Sequence, residues 1–329
     1  MRQPETSSST KSSGKNSQRN WPHTALLALV RYGGSALVLF LLFRFLSGRQ
    51  VWQSLRSLPA SLWLAGLAVY LAAHCIGVSK WRLMVNLAGA GLNVPQAARC
   101  YFAGLFGSLF LPSLIGGDLV RAGLALRLGR SKAGVLLGSF LDRILDFTAL
   151  MLLAGVAALL VPGALDPRTR RIFILLGGAA TLAIAIAAAA ILMLPARRCS
   201  YRMRRRLVQL RRAGRSMARR PRAMLGALSL AISAQLVFIT LNIRLAESCG
   251  LHLPFRVWVF AWPLAKLSAA LPITQGGIGV REAALVALLL PFGAPAALTV
   301  AAGLAWEALV ISGALIAGAS AFLSGRFSS

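Results

Sequence analysis

The sequence predicts an all-α, polytopic integral membrane protein with about 6–8 transmembrane helices, and three features predict it. The first is composition. Of 329 residues, 57% are hydrophobic and 13% charged, with a mean hydropathy of +0.70. A soluble domain carries about 45–50% apolar and about 25% charged residues, so this chain has too little polar surface to cover a globule in water. The second is arrangement, since long apolar runs alternate with short basic segments. The third is a pair of apolar stretches interrupted by Pro and Gly, which read as two broken, re-entrant helical hairpins.

Residues 1–22 are rich in Ser and Thr, carry Lys11, Lys15 and Arg19, and show no periodicity. They read as a disordered cytoplasmic tail. The tail is long for a signal peptide, and no clean small-residue cleavage site follows the first apolar run, so the first helix is expected to be retained. Apolar runs over 25–46, 59–79, 133–161, 172–195, 223–246 and 294–323 each reach the about 20 residues that cross a hydrocarbon core of about 30 Å. Two further apolar stretches, 97–127 and 255–291, are broken in the middle by Leu-Pro and Gly-Gly. We read a single transmembrane domain over 23–325. Its halves, about 59–195 and 223–325, are joined by an Arg-rich cytoplasmic loop over 196–222.

Thirty-six Lys and Arg against eight Asp and Glu give a formal net charge of +28. Basic residues confined between apolar runs follow the positive-inside rule and face anionic lipid headgroups, so no nucleic-acid partner is expected. Arg197 to Arg222 holds twelve arginines and no acidic residue, which places that loop inside. The N-terminal tail, residues 80–82, Arg99, Arg127, Arg130 and Lys132 fall on the same side if 97–127 enters and returns. Arg49, Arg56, Arg168, Arg170 and Arg171 fall outside. Both termini are then cytoplasmic and the membrane is a bacterial-type inner membrane.

Leu111-Pro112-Ser-Leu-Ile-Gly116-Gly117-Asp118-Leu-Val-Arg121 and Leu271-Pro272-Ile-Thr-Gln-Gly276-Gly277-Ile-Gly279-Val-Arg281-Glu282 share the pattern LPxxxGGxxxR. Pro removes a backbone donor, and paired glycines permit conformations that other residues avoid. Interrupted segments at matching places in two halves point to a transporter binding site, and counting crossings makes the two halves an inverted repeat. The backbone N–H groups that follow the glycines suit an anion such as phosphate.

Six of the eight acidic residues, Asp118, Asp142, Asp146, Glu247, Glu282 and Glu307, lie in or beside apolar segments. Charges at that depth face a cavity or a partner. Asp118 and Arg121 are spaced to pair on one helix face. Arg281 and Glu282 are sequence neighbours, expected to point apart and to take separate partners. Asp142 and Asp146 share a face, with Arg143 about 100° round. They read either as a proton relay, because like charges raise one pKa, or as carboxylates neutralised by Arg143, Arg121 or Arg281. Glu307 and Lys266 are candidates for the same polar interior.

Cys75, Cys100, Cys199 and Cys249 show no ligand spacing and do not cluster with His23, His74 or His252, so neither a metal site nor a cofactor is expected. No GxSxG, HExxH, P-loop or GxGxxG context is present, which excludes the common hydrolase and nucleotide-binding classes.

Three segments, Gly116-Gly117-Asp118-Leu-Val-Arg121, Leu141-Asp142-Arg143-Ile-Leu-Asp146 and Leu271 to Glu282, together resemble the lysylphosphatidylglycerol synthase transmembrane-region family, also called flippase-like domain proteins. The resemblance covers roughly residues 30–325. It implies a membrane region that moves aminoacylated phosphatidylglycerol between leaflets, which full-length synthases join to a soluble aminoacyltransferase domain. With the sequence ending at Ser329, that catalytic domain is expected to be absent and the lysyltransferase name not to apply. Ser108 departs from the family, where Asn is expected ahead of the Leu-Pro break.

The expectation is therefore a translocator of an anionic, aminoacylated or polyprenyl-linked lipid headgroup. Arg121, Arg281, Gly116, Gly117, Asp118, Gly276, Gly277 and Glu282 are its candidate substrate-binding residues. Asp142, Arg143, Asp146, Lys266 and Glu307 are a polar relay or a structural set. Two alternatives stay open: an intramembrane lipid- or glycolipid-modifying transferase, and a non-catalytic partner of a lipid-synthesis complex. Membrane lipids of the anionic phospholipid or polyprenyl-phosphate type are the expected partners, and self-association is left open.

Overall fold

The structure is a computed structural model that describes residues 48–56, 58–110, 114–160, 219–269 and 277–326, with isolated positions between 208 and 216. The tail 1–22, the apolar runs 25–46 and 172–195, most of the Arg-rich loop, both Leu-Pro pairs and Gly276 lie outside the described residues. Among the described residues the regular structure is entirely helical. In chain order the helices are α1 (Gly48–Arg56), α2 (Ala60–Leu87), α3 (Val94–Gly107), α4 (Leu114–Leu128), α5 (Lys132–Leu160), α6 (Pro221–Ser248), α7 (Phe255–Ser268), α8 (Val280–Leu289) and α9 (Ala296–Arg326).

Four of them, α2, α5, α6 and α9, are long and apolar enough to cross a membrane. Each turns large apolar side chains outward, among them Leu64 on α2, Phe140 on α5, Leu225 on α6 and Leu315 on α9. An exposed apolar belt of this kind is what lipid solvates and water does not. The chain is a multi-pass membrane protein.

The remaining long elements come as two pairs of half-length helices. Helices α3 and α4 flank the first Leu-Pro break, and α7 and α8 flank the second. The N-terminus of α3 is capped by the Asn93 side chain, which accepts from Gln96 N at 2.9 Å while Gln96 Oε1 accepts from Asn93 N. Such a reciprocal box satisfies donors that a helix start leaves unused.

The second glycine of each pair is placed by packing. A Cβ on Gly104 of α3 would stand 2.7 Å from the Gly117 carbonyl oxygen, so α3 and α4 touch backbone to backbone. Gly277 has φ +80° and would bring a Cβ to 3.0 Å from the Ala269 carbonyl oxygen at the end of α7. Only glycine fits either position.

The packing partners are reciprocal. Helix α3 packs on α9, and α7 packs on α5; α2 packs on α6; α4 meets α5 as α8 meets α9. Two of the apolar cores that result among the described residues back the hairpins. Tyr70, Phe238, Trp262 and Trp306 belong to one, built mainly by α2, α6, α7 and α9 with Leu285 and Leu289 of α8. Val78, Trp81, Cys100 and Val135 belong to the other, built by α2, α3 and α5 with Ala125 of α4.

One helix boundary differs from the sequence reading. The run expected to end at residue 79 continues as α2 to Leu87. Lys80, read as part of a cytoplasmic basic segment, is instead buried with 3% of its surface exposed. A hydropathy window stops at the first lysine whether that lysine leaves the membrane or turns inward. Here it turns inward, because carboxylates on α5 receive it.

Candidate functional site

A cavity of about 250 Å³ opens where the two broken hairpins approach the long spans. Helix α2 brings Tyr70, His74 and Lys80 to its wall, α3 brings Tyr101 and Ser108, and α4 brings Gly117, Asp118 and Arg121. From the other side come Gln235 and Phe238 of α6, Trp262 and Lys266 of α7, Arg281 of α8 and Glu307 of α9. Every long span and both hairpins therefore contribute.

Six charges on the first side close into a ring. Lys80 Nζ stands 2.8 Å from Asp142 Oδ1 and 2.6 Å from Asp146 Oδ1. Arg121 Nη2 stands 3.2 Å from Asp142 Oδ2 and 2.9 Å from Asp118 Oδ1. Arg143 pairs with Asp118 and, at 3.5 Å, with Asp146. Read round, the order is Lys80, Asp142, Arg121, Asp118, Arg143, Asp146 and back to Lys80. Each cation has two carboxylates and each carboxylate two cations, so the ring is neutral. Buried charges persist only when paired in this way, and Arg121 and Asp142 are exposed by no more than 3% and 1%. The guanidinium of Arg121 also lies over Trp81 at 4.9 Å and Tyr101 at 5.2 Å, within the range of a cation–π contact.

The other side holds an open fork. Arg281 Nη2 donates to Glu282 Oε1 at 2.5 Å and to Glu307 Oε2 at 2.8 Å. Glu282 also reaches back to accept from Gly279 N at 2.6 Å. The expectation that Arg281 and Glu282 take separate partners is corrected here. At the first turn of α8 the Glu282 side chain folds back onto the helix start, and the long Arg281 side chain meets it there. The first-turn carboxylate thus already accepts the N–H of Gly279, the residue just before α8, a favourable place for negative charge.

Lys266 stands apart from both groups. Its Nζ donates to Gln235 Oε1 at 3.0 Å and lies 5.0 Å from the Phe238 ring. Among the described residues it forms no ion pair with a carboxylate, in contrast to Lys80.

The residues singled out from sequence therefore divide. Asp118, Arg121, Asp142, Arg143 and Asp146 come together in the ring; Arg281, Glu282 and Glu307 form the fork; Lys266 faces the same cavity. Gly116 and Gly117 are buried in the first turn of α4, and Gly277 is buried just before α8. Glu247 lies at the exposed end of α6, paired with Arg244 at 3.2 Å. Lys80, Gln235 and the aromatic wall were missed. His74, Gly77 and Lys80 recur at a spacing that stacks them on one face of α2, and that spacing was the available signal.

No group of three or more metal-ligating side chains occurs among the described residues. The sequence profile of a family described as the lysylphosphatidylglycerol synthase TM region matches residues 25–318. No curated protein matches the chain.

Proposed function

The chain belongs to the lysylphosphatidylglycerol synthase TM region family, and from that membership we propose that it translocates a lipid between the leaflets of a bacterial-type inner membrane, with both termini on the cytoplasmic side. The lipid carries an anionic, aminoacylated or polyprenyl-linked headgroup. One observation carries this reading: a cavity of about 250 Å³, lined by charged side chains from both hairpins, sits inside a molecule whose outer surface is apolar. A chamber with charged groups on its wall, set in an apolar body, is where a headgroup crosses while its acyl chains stay in lipid.

The reciprocal packing supports two halves related as an inverted repeat. In such a repeat the cavity is reached from one side and then from the other as one hairpin moves against its span. Gly117 and Gly277 let each half-helix pair close tightly. Arg121 and Arg281 contact the headgroup phosphate by exchanging one carboxylate partner for it, and Asp118 and Glu282 hold them ready. Removing a single partner from a buried pair costs about 3–5 kcal/mol, so the exchange needs an incoming anion of equal charge.

Every carboxylate that lines this cavity is held by a cation, so none of them is free to act as the general base of a transferase. Reconstitution tests the reading. Proteoliposomes with fluorescent phosphatidylglycerol in one leaflet should exchange it faster than protein-free vesicles. Arg121→Gln and Arg281→Gln should each abolish the acceleration while the purified proteins stay folded. Wild-type exchange rates in both variants would reject it.

A further inference from the structure

We propose that Lys266 and Gln235 form the phosphate-receiving subsite of the cavity, the point at which a phosphate or phosphodiester anion is first bound. The proposal rests on the translocator reading and names the residues and ligand chemistry that start it.

Charge is the first ground. The ring of Lys80, Arg121, Arg143 and three aspartates is self-neutralised, and Arg281 is outnumbered by Glu282 and Glu307. An anion approaching any of these cations meets a carboxylate already in place. Lys266 presents its charge against a neutral amide and a phenyl ring. It binds an anion without giving up a carboxylate.

Divergence from the internal repeat is the second ground. Helices α6 and α7 start 161 residues after α2 and α3, at Pro221 against Ala60 and Phe255 against Val94. Features that hold the hairpins keep that spacing to within one residue: Arg281, 160 residues after Arg121, lies 5.9 Å from the Trp262 ring, and Arg121 lies 5.2 Å from Tyr101, the residue 161 positions before Trp262. Lys266 and Gln235 do not follow it, because the positions 161 earlier are Leu105 and His74. Both of those also line the cavity. The cavity therefore has one wall with a cation free of carboxylates, where an anion is first bound, and an equivalent wall without one.

Spare donors are the third ground. Trp262, one turn before Lys266 on α7, and Arg281 have buried Nε1 and Nε atoms with no acceptor among the described residues. A phosphate at this wall brings the oxygens they lack.

Calorimetric titration of the detergent-purified full chain tests the proposal, with dioctanoyl phosphatidylglycerol, inorganic phosphate and phosphate-free dioctanoylglycerol as probes. The expected result is binding of phosphatidylglycerol but not of dioctanoylglycerol. Lys266→Met should weaken it about tenfold or more, as for loss of a charged hydrogen bond, and Lys266→Arg should stay within about threefold. Gln235→Glu is the sharper variant, since it keeps the lysine and gives it a carboxylate. It should lose binding while melting no lower than wild type, which a merely structural lysine would not produce.

Inorganic phosphate that binds alone and is lost in both variants supports the subsite with a free anion as its source. Lipid binding unchanged in Lys266→Met and Gln235→Glu overturns the subsite, and so does a wild type that binds neither phosphate probe. Leaflet exchange by the same preparation reports separately on the translocator reading. Intact exchange with intact binding in both variants sinks the subsite alone, and absent wild-type exchange with Lys266-dependent phosphate binding sinks the translocator alone.

Discussion

Lys80 Nζ lies 2.6 Å from Asp146 Oδ1, and this contact, made from α2 to α5, closes the ring of six charges. Without it, two arginines face three aspartates in a buried site. Lys80→Met should therefore lower stability by about 3–5 kcal/mol, the usual cost of stranding a buried charge. Adding Asp146→Asn restores neutrality and should recover more than half of the loss. Thermal unfolding in detergent measures both, and a Lys80→Met protein that melts like wild type would show that the ring is not holding α2 to α5.

The ring and the fork differ in redundancy. Glu307 is the second carboxylate on Arg281, whereas Asp142 bridges two cations and is exposed by 1%. Glu307→Gln leaves Arg281 paired with Glu282, so a loss of about 1 kcal/mol is expected, near that of one ordinary hydrogen bond. Asp142→Asn leaves three ring cations against two carboxylates and should cost about 3–5 kcal/mol. Equal melting shifts in the two variants would contradict the distinction.

How far these features were legible in the sequence depends on what each residue signals alone. The hairpins announced themselves, because Pro112 with Gly116-Gly117 and Pro272 with Gly276-Gly277 are costly in a helix and were found twice. The spans at 59–79, 133–161, 223–246 and 294–323 fell on α2, α5, α6 and α9 because bilayer thickness fixes helix length. Lys80 was lost because hydropathy registers a charge without its direction. Gln235 and Trp262 were lost because an amide or an indole inside an apolar helix looks like core, and only the meeting of α6 with α7 gives it a cavity to face. The contact of Arg281 with its neighbour Glu282 was not legible either, since it depends on the backbone geometry at the start of α8.

Close contact of α3 with α4 should be intolerant of volume. Valine at position 104 places its Cβ 2.7 Å from the Gly117 carbonyl oxygen and 2.8 Å from the Arg121 Cβ, both of them on or next to backbone. Overpacking of this kind costs about 1–3 kcal/mol and moves Arg121 away from Asp142. Gly104→Val should thus lose lipid exchange beyond what its melting temperature explains. Gly123→Val, on the open face of α4 with nothing within 4 Å, is the control and should leave both unchanged.

The proposed inverted arrangement predicts labelling from opposite sides of the membrane. Residues 88–93 and 129–131 form the mouth of the first hairpin, tied by the hydrogen bond from Arg130 N to Ala90 O at 2.8 Å. Residues 249–254 and 290–295 form the corresponding mouth of the second. Arg130 and Leu290 are both exposed, so single cysteines there, in a background lacking Cys75, Cys100, Cys199 and Cys249, report on each mouth directly. In right-side-out and inverted vesicles, a membrane-impermeant maleimide should modify Arg130→Cys from the cytoplasmic side and Leu290→Cys from the other. If both cysteines react from one common side, the halves are related by a parallel repeat. One hairpin then cannot open the cavity inward while its counterpart opens it outward, and a lipid headgroup would have to cross by another route.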